Sequence, residues 1–182
     1  MLFIILSSLD DPDLEAKFSD FYEKYKKLAF KIAYNYFDDF GIVEEVVQTA
    51  FFALSRNFSK IHEIDDDLKK IYLVKSVRSA CIDVIRKSNR NPQPIEQFEH
   101  VEICSDLDIQ AELESNEKLE RIYIAVREMP PRRRDAISCR LFANLSYSAI
   151  AKILHISTGV VKKEIHTGMK KLKKIIREME NE

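Results

Sequence analysis

The chain has 182 residues, 46% of them hydrophobic and 32% charged, with a net charge of −1; these values suit one or two globular domains. Only three Gly and five Pro occur, and no alternating apolar run is bounded by turn residues, which argues against a sheet protein and for an all-α fold. Cys81, Cys104 and Cys139 form no CxxC or Cys/His spacing, so neither a disulfide framework nor a metal site is expected.

The opening "MLFIIL" lacks a basic start and is short for a secretory leader. No segment reaches the ~20 apolar residues of a membrane span. A cytoplasmic protein is expected. From there the elements follow in order. Leu14, Phe18, Phe21, Tyr25, Leu28, Ile32 and Tyr36 recur at three- and four-residue steps and predict a helix over 12–37. Asp11 followed by Pro12 supplies its N-cap and first turn. "DDFG" at 38–41 breaks it. A second helix is predicted over about 43–57, with Val43, Val46, Val47, Ala50, Phe51 and Leu54 inside. Asp65 to Asp67 suit the start of a third, which runs to about Ser88.

"NRNPQPIEQFEHVEICSDLD" then reads as a linker rich in acid and interrupted by two prolines. Helical periodicity resumes over 108–128 and stops at Pro130–Pro131. Pro131 fits the first position of a helix over 131–142. "ANLS" turns the chain, Ser146 caps a short helix to Leu154, and Ser157 opens the last, to about 178. Domains over 1–90 and 112–182, with a linker over 91–111, are the expected organisation.

The charge is divided unevenly. Residues 1–90 hold 14 bases and 15 acids, residues 91–115 seven acids and no base, and residues 116–182 hold 15 bases and eight acids. The last segment, at +7, can neutralise phosphates; the acidic connector, at −7, cannot. Lys69 to Arg90 adds a second basic stretch, with seven bases against Asp83. An acidic connector folding over the basic domain and masking it is a further expectation from this split.

"SYSAIAKILHISTGVVKKEIHTGMKKLKK" has the outline of a helix-turn-helix. Ile150, Ala151 and Leu154 share one face of its first helix; Val161, Ile165 and Leu172 form the inward stripe of the second. Ser157, Thr158, Lys162, Lys163, His166 and Lys170 are left outward, where the start of a second helix reaches base edges and later lysines hold backbone. An amphipathic pair with a solvated basic face is the structural alternative. Two residues sit awkwardly: Glu164 should repel phosphate, and His155 costs about 1–2 kcal/mol if the turn demands a left-handed residue.

"EMPPRRRDAISCRLFANLSYSAIAKILHISTGVVKKEIHTGMKKL" resembles region 4 of bacterial sigma factors of the extracytoplasmic-function (ECF) group. Met129-Pro130, Arg134, "NLSYSAIAKILHIS" and "GVVKKEIHTGMKKL" stand where that family has Leu-Pro, Arg, "GLSYxEIAxxLGIS" and "GTVKSRLxRAxxxL". "GIVEEVVQTAFFALSRN" and "LKKIYLVKSVRSACIDVIRKSNR" resemble the region 2 signatures "DAEDLVQEVFLxxW" and "WLxRIARNxxIDxxRRxxR". The resemblance extends over roughly 150 residues in the family's order.

It implies a dissociable promoter-specificity subunit of RNA polymerase without catalytic residues or cofactors. Such a subunit binds promoter DNA at two elements, about 10 and 35 base pairs upstream of the start. It also binds core polymerase, through the largest-subunit clamp and the flap. Glu44, Glu45, Val47, Gln48, Phe51 and Phe52 match the clamp-docking segment, though Val47 and Phe51 fit a core role equally well. Tyr72, Lys75, Arg78, Ser79, Asp83, Arg86 and Arg90 match the minus-10 segment; Tyr72 replaces the family Trp and Ser79 the family Asn. Asp83 equally suits a local salt bridge to Arg86 or Lys87. The outward residues of the last helix match the minus-35 reader, but Glu164 and Thr167 replace family arginines. The resemblance also admits an anti-sigma partner. Two other readings stay open: a free-standing helix-turn-helix regulator, and a sigma-like interaction module whose DNA reading has weakened. An enzyme is not expected, since no phosphate loop, metal cluster or nucleophile–base pair is visible.

Overall fold

A computed structural model describes Ile5, Leu9, residues 11–90 (Arg90 by its backbone) and residues 116–181. The acidic connector, Cys104 and the first part (108–115) of the helix predicted over 108–128 lie outside the described residues. Every regular element among those described is an α-helix.

The first helix, α1, is Pro12–Ala33. Asp11 caps it: its Oδ1 accepts from the amide of Asp13 at 3.0 Å, and Pro12 occupies the first turn, where a missing N–H costs nothing. It stops four residues before the predicted end because Asn35 Nδ2 donates to the carbonyl of Lys31 at 2.8 Å and so captures one of the free carbonyls at the helix end. Helix α2, Phe40–Ser55, starts three residues earlier than expected. Asp39 Oδ1 accepts from the amide of Ile42 at 2.9 Å and provides the cap. A four-residue helix α3, Phe58–Ile61, is too short to leave a periodic signature and was not foreseen. Helix α4 is Asp66–Arg90, capped by Asp65, whose Oδ1 accepts from Leu68 N at 2.9 Å.

These four helices enclose an aromatic core. The ring of Phe18 lies 4.8 Å from Phe58, and Tyr22 4.8 Å from Phe51. Leu73, Val74, Val77, Ala80 and Cys81 close it from α4. Each large side chain so buried contributes about 1.5–3 kcal/mol.

The second group comprises α5 (Glu117–Arg127), α6 (Pro131–Leu141), α7 (Tyr147–Leu154) and α8 (Thr158–Glu180). Tyr123, Val126, Ile137, Ile150, Ile153, Val161, Ile165 and Leu172 form its interior. Within α7 the fully buried pair is Ile150 and Ile153, while Ala151 and Leu154 are half-buried, so the inward face is rotated from the expected one. The buried thiols of Cys81 and Cys139 are free. Burial pushes both upward in pKa, Cys139 to about 12, which keeps them in the unreactive thiol form.

The two groups touch. Tyr34 and Tyr123 meet edge-on at 6.1 Å, α4 packs against α7, and polar contacts run from the turn after α1 and from α4 to α5 and α6.

Candidate nucleic-acid interface

The helix-turn-helix is built by two serine caps and one strained turn. Ser146 Oγ accepts from Ala149 N at 3.2 Å and starts α7; Ser157 Oγ accepts from Val160 N at 3.3 Å and starts α8. Between them His155 ends α7 at φ 54°, ψ 44°, the left-handed conformation usual for Gly at this helix end. Asn144, at φ 51°, makes the other turn, where Arg140 Nη1 donates to the carbonyl of Leu145 at 3.0 Å. Both stand where the matched sequence pattern has Gly.

Ser157, Thr158, Lys162, Lys163, His166 and Lys170 are all exposed on α8, as the spacing predicts. Glu164 is not among them. Its side chain is 16% exposed and pairs with Arg133, Nε to Oε2 at 2.9 Å. The carboxylate is turned against α6 and neutralised there, so it does not confront phosphate. One turn on, Gly168 sits against Ile137: a Cβ at 168 would come within 2.6 Å of Ile137 Cγ1. The two contacts repeat at four-residue spacing on both helices and set how closely α8 crosses α6. Thr167 Oγ1 donates to the carbonyl of Lys163 at 2.9 Å.

On α4, Tyr72, Lys75, Ser79, Asp83 and Arg86 form one exposed stripe, with Tyr72 at 47% the most open large apolar side chain among those described. Asp83 faces Arg86 at 3.8 Å, the local pair foreseen as its structural role. Arg78 departs from expectation. It lies off the stripe, and its Nε donates to Asp135 Oδ2 on α6 at 2.7 Å, so in this conformation its guanidinium is spent on a carboxylate. The side chain of Arg90 lies outside the described residues.

On α2, the six candidates divide. Val47 and Phe51 are fully buried, with Phe51 packed against Phe18, Phe21 and Tyr22; their direct use in docking is corrected to a core role. Glu44, Gln48 and Phe52 follow one another at four-residue steps on the outer face, beside exposed Glu45. Arg56 extends that line, with its guanidinium 4.7 Å above the Phe52 ring. Among the described residues no group of His, Cys, Asp and Glu converges as a metal site would require, and no helix is long and apolar enough to cross a membrane.

Two family models match. Residues 21–91 match Sigma-70 region 2, and residues 119–172 match Sigma-70, region 4. The chain belongs to the sigma-70 family. Region 2 takes in most of α1 together with α2, α3 and α4; region 4 takes in most of α5, all of α6 and α7, and α8 as far as Leu172. Among solved structures, CnrH in complex with the cytosolic domain of CnrY shares the fold, with 17% identity, a TM-score of 0.61, and coverage of 88% of this chain and 87% of that one. Comparison with curated protein sequences finds no match. The two exposed faces, on α4 and α8, lie one in each of the two matched regions.

Several contributors escaped sequence reading. Arg133, Asp135 and Gly168 act through partners 31 residues or more away in sequence. The one available signal was Asp135 itself, a lone acid closing the run "RRRD".

Proposed function

We propose that this sigma-family chain is of the ECF group and directs core RNA polymerase to particular promoters. Region 4 would read the minus-35 element through Ser157, Thr158, Lys162, Lys163, His166 and Lys170. Region 2 would hold and help melt the minus-10 element through Tyr72, Lys75, Ser79, Asp83, Arg86 and Arg90, with Arg78 joining when released. Glu44, Glu45, Gln48 and Phe52 would dock on the polymerase clamp. Aromatic Tyr72 suits stacking against an unpaired base, and the cations beside it suit the phosphate backbone.

The observation that carries this reading is the state of α8. Its first turns present two hydroxyls, three lysines and a histidine to solvent, while the one carboxylate among them is turned away onto Arg133. That arrangement removes the best support for a decayed interaction module. A stand-alone regulator would leave the outer face of α2 without a task. Because CnrH was solved with the cytosolic domain of CnrY, a protein partner that restrains this chain belongs to the same proposal.

The test is direct. Purified chain is mixed with bacterial core polymerase, and run-off transcription is read from a random promoter library. Co-elution and a defined set of start sites are expected. Failure of both overturns the proposal.

A further inference from the structure

Asp135 is unusual in this molecule. It is the acid in a stretch with four arginines, its side chain is 5% exposed, and its two oxygens are taken up by the other domain. Tyr36 Oη donates to Oδ1 and Arg78 Nε to Oδ2, each at 2.7 Å. Arg134, on the same helix, stands 3.8 Å from Oδ1 and lays its guanidinium 4.2 Å above the Tyr36 ring. A second polar tie crosses nearby: Arg127 Nη1 donates to the carbonyls of Tyr34 at 3.2 Å and Phe37 at 3.4 Å.

This contact has the character of a latch and not of a permanent core. A buried ion pair gains little net stability over apolar packing, yet removing one partner is costly, so it specifies one arrangement without welding it. The residue held by the latch is itself a candidate for phosphate contact. A guanidinium cannot serve the Asp135 carboxylate and a DNA phosphate through the same fork.

We propose that Asp135, with Tyr36 and Arg78, forms a clasp that holds regions 2 and 4 together in the free chain and withholds Arg78 from DNA, so that DNA phosphate competes with Asp135 for Arg78. The closed form is thereby the resting form, and apparent affinity for DNA falls by the fraction of molecules that are closed. The proposal goes beyond the sigma assignment but takes from it the DNA role of Arg78.

Two readouts separate it from that assignment. In a full-length chain with Cys104→Ser, dyes at Lys60→Cys and Lys174→Cys report the distance between the domains without DNA or polymerase. Asp135→Asn keeps the shape and removes the charge; it is expected to raise the ratio of open to closed molecules about tenfold, the scale of one charge-assisted hydrogen bond. Binding to a mixed-sequence single-stranded 20-mer at low salt should strengthen in Asp135→Asn, and that gain should vanish when Arg78→Ala is added, a coupling that independent sites do not show. Should Asp135→Asn lose helical signal, Tyr36→Phe carries the test, with a smaller shift in the same direction. An unchanged distance distribution overturns the clasp. Opening without a gain in DNA binding overturns the withholding of Arg78. Neither result depends on whether the chain selects start sites on polymerase.

Discussion

His155 holds a left-handed conformation at the turn of the helix-turn-helix, at φ 54°, where a side chain costs about 1–2 kcal/mol. Glycine there would return that cost, less the roughly 0.5–1 kcal/mol of extra chain entropy it loses on folding. His155→Gly is expected to stabilise region 4 by about 0.5–1 kcal/mol, read by thermal or denaturant unfolding. Gly168 is the opposite case. Alanine improves helix propensity by about 1 kcal/mol, but its Cβ would enter Ile137 at 2.6 Å, and overpacking costs about 1–3 kcal/mol. Gly168→Ala should therefore destabilise the domain, and unchanged stability would show that α8 can shift away from α6. The first residue was legible in the sequence, because a turn between two periodic helices announces itself. The second was not, because nothing local to Gly168 reveals Ile137.

Helices carry the candidate surfaces, and their faces followed from period. Position on α2 decides function against packing. Gln48→Ala is expected to weaken association with core polymerase in a pull-down while helical content by circular dichroism stays the same. Phe51→Ala, one turn away but interior, should instead destabilise the fold by about 3–5 kcal/mol. Equal effects of both on folding would remove Gln48 from the docking face. On α8, Lys162→Ala and Lys163→Ala are expected to weaken minus-35 protection in footprints of the holoenzyme and to reduce the salt slope by about one unit per lysine. Period also mispredicted in places. The inward face of α7 is set by Ile150 and Ile153, and α1 ends early because one Asn side chain competes for its last carbonyls. Such side-chain captures are chosen by geometry and not by hydropathy.

At the scale of the molecule, the net charge of −1 conceals two basic faces in separate domains. The two proposed DNA sites share one tether and would gain from effective concentration, so long as the domains are free to reach DNA together. The clasp at Asp135 makes that freedom conditional. The sequence by itself determined the helical class, the helix caps at Asp11, Ser146 and Ser157, the turn at His155, the segregation of charge and the outward lysines of α8. Each of these depends on residues within a few positions of one another, where backbone periodicity and capping chemistry act. Only the tertiary structure decided that Glu164 turns onto Arg133, that Gly168 must lack a side chain, and that Arg78 faces Asp135 across 57 residues of chain. Those outcomes depend on how helices dock, and docking brings together side chains whose separation along the chain carries no local signature.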